Sequence, residues 1–364
     1  MALPRKLLTI ALTIAALALL NQAFEYGVGD FQINPYHARI INLIGINITL
    51  AVSLNLINGL AGQFSIGHAG FMAVGGYAAT YLTVYHGVSI ANLVGGSVTA
   101  GVGSIVVMVS SLTVGALAAA FAGLLVGIPS LRLKGDYLAI VTLGFGEIIR
   151  VLILNIPAVG GATGFTDAIP ITNFFWIFSV AILTIVIVRN IALSTFGRAL
   201  GAIRGDEVAA EAMGVRTTRY KVLAFVISAG LAGVAGGLWG QLFANPLNPQ
   251  NLNFVKSIEV IVMIVLGGIG SITGAVLGAA TLTILPEALR SFDQQFPGLR
   301  MVLYALLLIL LMIFRPQGIM GRRELNFDWL RRKRAVVPAV ANIRKSRRSK
   351  DAPPSGNDKG PADG

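Results

Sequence analysis

Glu147 and Arg150 lie three residues apart inside the apolar stretch 137–154, on one face of a helix. An ionisable pair at membrane depth either fixes helix packing or marks a path for a polar cargo. A second cluster is NGLAGQFSIGHAG (58–70), where Gly59, Gly62, Gly67 and Gly70 alternate with Asn58, Gln63, Ser65 and His68 between two apolar runs. Such a break is either a short surface turn or an opening of backbone groups inside a bundle. The second form is tolerated only where protein or a water-filled cavity satisfies the backbone, and it lines substrate paths in transporters. A related glycine-rich break, GGIGSITGAVLG, occupies 267–278. The third cluster is the polar loop 190–221, NIALSTFGRALGAIRGDEVAAEAMGVRTTRYK. Within it 204–213 reads as a helix, with Asp206 and Glu207 suited to the dipole at its start and Gly214 suited to its C-cap. It is either a rigid plug for a partner protein or a plain amphipathic surface helix.

Other chemistries find no residues. There is no cysteine, hence no disulfide, thiolate metal site or cysteine nucleophile. His37 and His86 fall near the ends of apolar runs, and no His or carboxylate pair has metal-ligand spacing. The phosphate-binding pattern G-x-x-x-x-G-K-[ST] is missing, so any ATP-driven work needs another subunit. A proton relay would need more acidic or histidine groups along one path.

The elements that must position these clusters are apolar helices. The 364 residues are 55% hydrophobic and 12% charged, about half the charge of an ordinary soluble domain, with mean hydropathy +0.77. Stretches of spanning length, roughly 20 residues, lie near 7–24, 39–58, 69–86, 137–154, 173–189, 222–243, 257–271, 273–290 and 299–314. The Gly-rich stretch 88–128 is too long for one upright span and reads as one tilted crossing behind a broken helix, or as more than one crossing. Period-2 alternation is missing, which argues against a barrel. Arg5, Lys6 and the apolar run after them resemble a signal peptide, but no small-x-small cleavage site follows, so a retained span is expected. The fold class expected is therefore all-α: a polytopic transmembrane helix bundle of about ten spans, within a range of 8–11, with broken Gly-rich helices.

Basic residues orient the bundle. Arg132 and Lys134, the six Lys and Arg of 189–221, and the tail place these segments and both termini in the cytoplasm. The net charge is +12, of which residues 315–364 contribute +8, with 13 Lys and Arg against 5 Asp and Glu. This is an orientation signal rather than a nucleic-acid surface. The expected domains are a transmembrane domain, 1–321, containing the loop 190–221, and a basic, largely disordered cytoplasmic tail, 322–364.

Five ordered motifs carry a resemblance. GLAGQFSIGHAGFMAVGGY (59–77), LRLKGDYLAIVTLGFGEIIR (131–150), GGATGFTDAIP (160–170), AIRGDEVAAEAMGV (202–215) and VLGGIGSITGAVLGA (265–279), with FRPQG (314–318), are similar to the M-type (LivM-like) permease subunits of branched-chain amino acid ABC transporters. The resemblance covers about 35–320. It implies a multi-pass protein of the bacterial inner membrane that imports leucine, isoleucine, valine or related neutral amino acids and is not itself an enzyme. The implied partners are a second permease, two cytoplasmic ATPases that bind ATP and Mg, and a periplasmic or lipid-anchored binding protein. No cofactor is implied in this chain. The resemblance also implies that 202–215 holds the coupling helix, with Arg204, Asp206, Glu207, Glu211, Met213 and Gly214 matching the family pattern. A zwitterion with an apolar side chain suits an apolar path with a few polar groups, for which Gln63, Ser65, His68, Glu147, Thr163 and Gly164 are the candidates. The alternatives are a permease for urea or short-chain amides and a secondary transporter working alone.

Overall fold

The structure, a computed structural model, describes residues 13–22, 24, 34–131, 133, 135–166, 168–242, 247–290, 299–314, 317–321 and 324. The tail from 325 on, Arg132, Lys134 and Asp167 lie outside them. The described residues form helices in the order α1 (Thr13–Gln22), α2 (Pro35–Asn55), α3 (His68–Tyr81), α4 (Gly87–Leu93), α5 (Gly101–Ser130), α6 (Asp136–Leu154), α7 (Phe174–Leu193), α8 (Thr195–Gly205), α9 (Glu207–Ala212), α10 (Thr217–Gly240), α11 (Phe254–Gly267), α12 (Ile272–Ala288) and α13 (Leu299–Phe314). Among them there is no strand; Phe165 and Leu247 form an isolated antiparallel bridge. Among the described residues, five helical stretches are long and apolar enough to cross a membrane: Pro35–Leu60, Gly101–Ser130, Asp136–Leu154, Phe174–Leu193 and Thr217–Gly240.

Starts are set by side chains that accept the otherwise unpaired first N–H groups. Asn34, Asn173, Ser194, Asn253 and Ser271 do so for α2, α7, α8, α11 and α12. The region 88–128 resolves into the short α4, a bend over 94–100, and α5. At 30 residues α5 is ~45 Å long and exceeds the hydrocarbon thickness, so it must tilt or protrude.

The centre is a three-helix block of α3, α5 and α10, in which glycine brings backbones together. A Cβ on Gly75 would strike the backbone of Gly233, one on Gly236 would strike Met72 O, and one on Gly115 would lie 2.7 Å from Gly75 O. In water such glycines weaken helices, whereas in a bilayer small residues permit the packing that holds helices together. Phe71 and Phe225 meet edge to face at 5.4 Å within this block. α2 packs against α10, α7 and α12 and is buried from Gly45 to Asn55. Val102, Leu117, Phe121 and Leu125 face outward along α5, as a lipid-contacting helix requires.

Candidate functional site

The break after α2 is built from a π-helical turn, Leu56–Leu60, that closes with Ala61 N donating to Leu56 O at 3.2 Å. Gly62 follows at φ +67, where a side chain would be strained and would collide with Arg204. Asn58 then brackets Ser65: its Oδ1 accepts from Ser65 N at 3.1 Å and its Nδ2 donates to Ser65 O at 3.3 Å. Ile66 N donates to Thr142 Oγ1 at 3.1 Å, and Ala69 N to Ser257 Oγ at 3.0 Å. Side chains of the π turn, α6 and α11 thus supply partners that the extended backbone and the first turn of α3 lack.

His68 opens α3 and is 1% exposed. Its Nε2 lies 2.8 Å from Ser53 Oγ, which also reaches Leu50 O at 2.8 Å; with the hydroxyl proton directed at Leu50 O, Nε2 donates to Ser53, and Nδ1 is buried with no partner among the described residues. Ser228 Oγ donates to Ser53 O at 2.5 Å, tying α10 to the same point. Ser65 Oγ is likewise buried without a partner among the described residues. Gln63 stays local, with Nε2 donating to Ala61 O at 3.4 Å.

Glu147 joins α6 to α11. Its Oε2 accepts from Arg150 Nε at 2.7 Å, and its Oε1 accepts from Phe254 N at 3.1 Å, the first residue of α11. Ile66, Ala69 and Gly70 face Gly146, Glu147 and Ser257 across a seam too narrow for a water molecule. Of the path candidates, Glu147 lines this closed seam of α3, α6 and α11, while Ser65 is held by Asn58 and His68 turns to Ser53 of α2. Thr163 and Gly164 belong elsewhere: Thr163 Oγ1 donates to Gly160 O at 2.7 Å, and Gly164, at φ +81, leads into the Phe165–Leu247 bridge.

The helix expected over 204–213 is in fact two. Asp206 adopts φ −157, ψ 114, ending α8 and capping α9, because its Oδ1 accepts from Val208 N at 2.9 Å and Ala209 N at 3.1 Å. Glu207 forms an ion pair with Lys221 at 2.6 Å, and Lys221 is 2% exposed. Glu211 Oε1 accepts from Thr217 Oγ1 at 2.5 Å. Gly214 closes α9 at φ +86. Arg204 donates from Nη1 to Gly59 O, reaching the π turn after α2. Three of the six residues matched to the coupling pattern, Arg204, Glu207 and Glu211, thus hold the hairpin to the bundle. Met213 and Val208, 84% and 68% exposed, form its open face.

Those contacts, a glycine-packed helical bundle with a rigid hairpin at one end, fit the sequence relations. The family described as "Branched-chain amino acid transport system / permease component" matches residues 36–312. The chain belongs to this family. The permease is 32% identical over 353 residues to the high-affinity branched-chain amino acid transport system permease protein LivM of Escherichia coli K12, covering 87% of this chain and 75% of that protein. It is also 40% identical over 136 residues to the E. coli K12 permease protein LivH, and 38% identical over 138 residues to the permease protein BraD of Pseudomonas aeruginosa. Each of these matches covers 37% of this chain and 43% of the relative.

Two parts of this permease escape the sequence reading. Lys256 Nζ donates to Glu259 Oε2 at 3.0 Å and to Asn47 Oδ1 at 3.3 Å, and sits 5.4 Å over the Trp239 ring. The three-residue spacing that draws attention to Glu147 and Arg150 recurs here, and was the available signal. Ile319, Met320 and Glu324 clasp the turn between α11 and α12. Ile319 N and Met320 N donate to Leu266 O and Gly267 O at 2.7 and 3.0 Å, while Glu324 accepts from Ile272 N at 2.6 Å and Thr273 N at 3.3 Å. Asn55 Oδ1 accepts from Gly270 N on the same turn at 2.8 Å.

Proposed function

We propose that this permease is one membrane subunit of an ATP-binding-cassette importer of leucine, isoleucine, valine or a related neutral amino acid. It pairs with a second, homologous permease. Two cytoplasmic ATPases bind ATP and Mg and supply the free energy, and a periplasmic or lipid-anchored protein delivers the cargo. Both termini and the α8–α9 hairpin face the cytoplasm. The observation that carries the reading is the mechanical connection at that hairpin. α9 offers Val208 and Met213 outward while Glu207, Glu211 and Arg204 hold it to α10 and to the π turn after α2. Force applied to the open face therefore reaches the break 56–67 and the junction around His68. A ligand shifts such an equilibrium only by its differential affinity for the two states, so the drive must come from the ATPases.

The test is reconstitution of both permeases and both ATPases in proteoliposomes, with the binding protein outside. ATP-dependent leucine uptake supports the reading. ATP-dependent uptake of urea without leucine uptake would replace the substrate, and uptake by the chain alone without ATP would replace the mechanism.

A further inference from the structure

Arg150 stands near the end of an apolar helix and is only partly used. It lies 14 residues from the start of α6 and four from its end, ~6 Å along the axis from that end. Its single ion pair engages Nε alone, and its two Nη nitrogens have no partner among the described residues. The side chains of Arg150 and Glu147 remain 26% and 29% exposed. A charged pair left facing lipid would be costly, so this face of α6 is covered by protein or lines an aqueous path. Glu147 cannot swing freely, because Oε1 also holds the first N–H of α11. The pair is thus a fixed dipole with its cationic end open.

We infer that Arg150 is a carboxylate-binding residue for the amino-acid cargo, its two Nη groups forming a fork on the cargo's α-carboxylate, with Glu147 as the residue that positions it. This rests on the reading of the cargo as a zwitterionic amino acid. A planar guanidinium whose Nε is pinned by one carboxylate presents its other edge in the geometry a second carboxylate accepts through parallel hydrogen bonds. The arrangement also suits the net charge. Glu147 and Arg150 together are neutral, and so is the zwitterion, so no uncompensated charge enters the apolar span. The cargo's ammonium then lies toward the Glu147 carboxylate, antiparallel to the protein's dipole. Gly144, one turn before on α6, has open space where a Cβ would stand, which leaves room beside the pair for an apolar side chain. The position is reached before the closed seam at Ile66–Gly70 when the cargo arrives from the far end of α6.

The discriminating variant is Arg150→Lys, which keeps a cation for Glu147 but loses the fork. It is measured in the complete transporter in proteoliposomes with the binding protein present, with L-leucine as the probe. Loss of a charge-assisted hydrogen bond predicts leucine uptake about tenfold lower, and Arg150→Gln about a hundredfold lower. ATPase stimulation by the loaded binding protein should stay within about twofold of wild type, because Arg150 lies outside the α8–α9 hairpin. A merely structural Arg150 would lower uptake and stimulated ATPase together, and that result overturns the inference. Arg150→Lys importing leucine at the wild-type rate overturns it as well. Wild-type vesicles that import urea and no leucine would instead overturn the substrate reading on which it rests.

Discussion

Replacing Glu207 by Gln keeps the size of the side chain and the six-residue α9, but removes the carboxylate 2.6 Å from Lys221. Lys221 is 2% exposed and cannot turn to water without unpacking α10, while Glu207 retains 22% exposure. Removing one partner of a buried pair costs about 3–5 kcal/mol, and the exposed edge of Glu207 puts this case near ~3 kcal/mol. At 1.4 kcal/mol per factor of ten, the opening of α9 from α10 should become roughly a hundredfold more frequent. Hydrogen exchange of the amides of Ala210, Met213 and Val215, whose acceptors all lie within 206–210, reads that opening in the purified complex. The double variant Glu207→Gln/Lys221→Met replaces the ionic pair by neutral groups and should exchange within about tenfold of wild type, since buried pairs are often replaceable by apolar groups at little cost. Exchange in Glu207→Gln within about threefold of wild type would refute the idea that this pair fixes the hairpin.

Three further outcomes follow from the geometry. Val208→Glu and Met213→Glu change exposed positions, so the permease should assemble in the membrane normally but fail to co-purify with the ATPases. Glu211→Arg, by contrast, tests the turn to Thr217 rather than docking. Gly233→Val inserts a side chain where even a Cβ would stand 2.7 Å from Gly115 O, and overpacking of this kind costs about 1–3 kcal/mol. A lowered thermal midpoint in detergent is the expected result, and an unchanged one would mean that α5 and α10 can separate freely. Glu324→Ala removes the acceptor of Ile272 and Thr273 N–H, a capping loss of ~1 kcal/mol. It should speed exchange at those two amides several-fold.

Much of the helical framework was legible because membrane burial leaves a coarse mark: long apolar runs, and polar or glycine-rich punctuation between them. The stretch 39–58 corresponds to α2 with its π turn, and Gly214 terminates α9 at the positive φ that glycine favours. Direction was harder to read. Glu207 and Glu211 share a face at i,i+4 and look like an acidic docking patch, yet Lys221 and Thr217 turn both toward the bundle. Asp206 suited the start of a helix, but nothing local said that it would also end the one before. Glu147 caps a helix that begins 107 residues later, a pairing invisible to any local pattern. Among the path candidates, Glu147 meets the break at Ile66–Gly70 only because α3, α6 and α11 cross there, while His68 turns instead to Ser53 of α2. Thr163 and Gly164 belong to a loop whose pairing with Leu247 the chain order does not announce.

The clasp of Ile319, Met320 and Glu324 on the turn 267–271 has a consequence for synthesis. Leu266 O and Gly267 O, and the first N–H groups of α12, acquire these partners only when residues 319–324 have left the ribosome. Until then α11 and α12 sit in the membrane with their connecting turn uncovered on that side, while α13 is still being inserted. A transcript broken before codon 318 would yield a protein with α1 to α13 in place and this turn unsealed. Such a product differs from the longer one at this turn, so synthesis past residue 324 is itself legible in the fold.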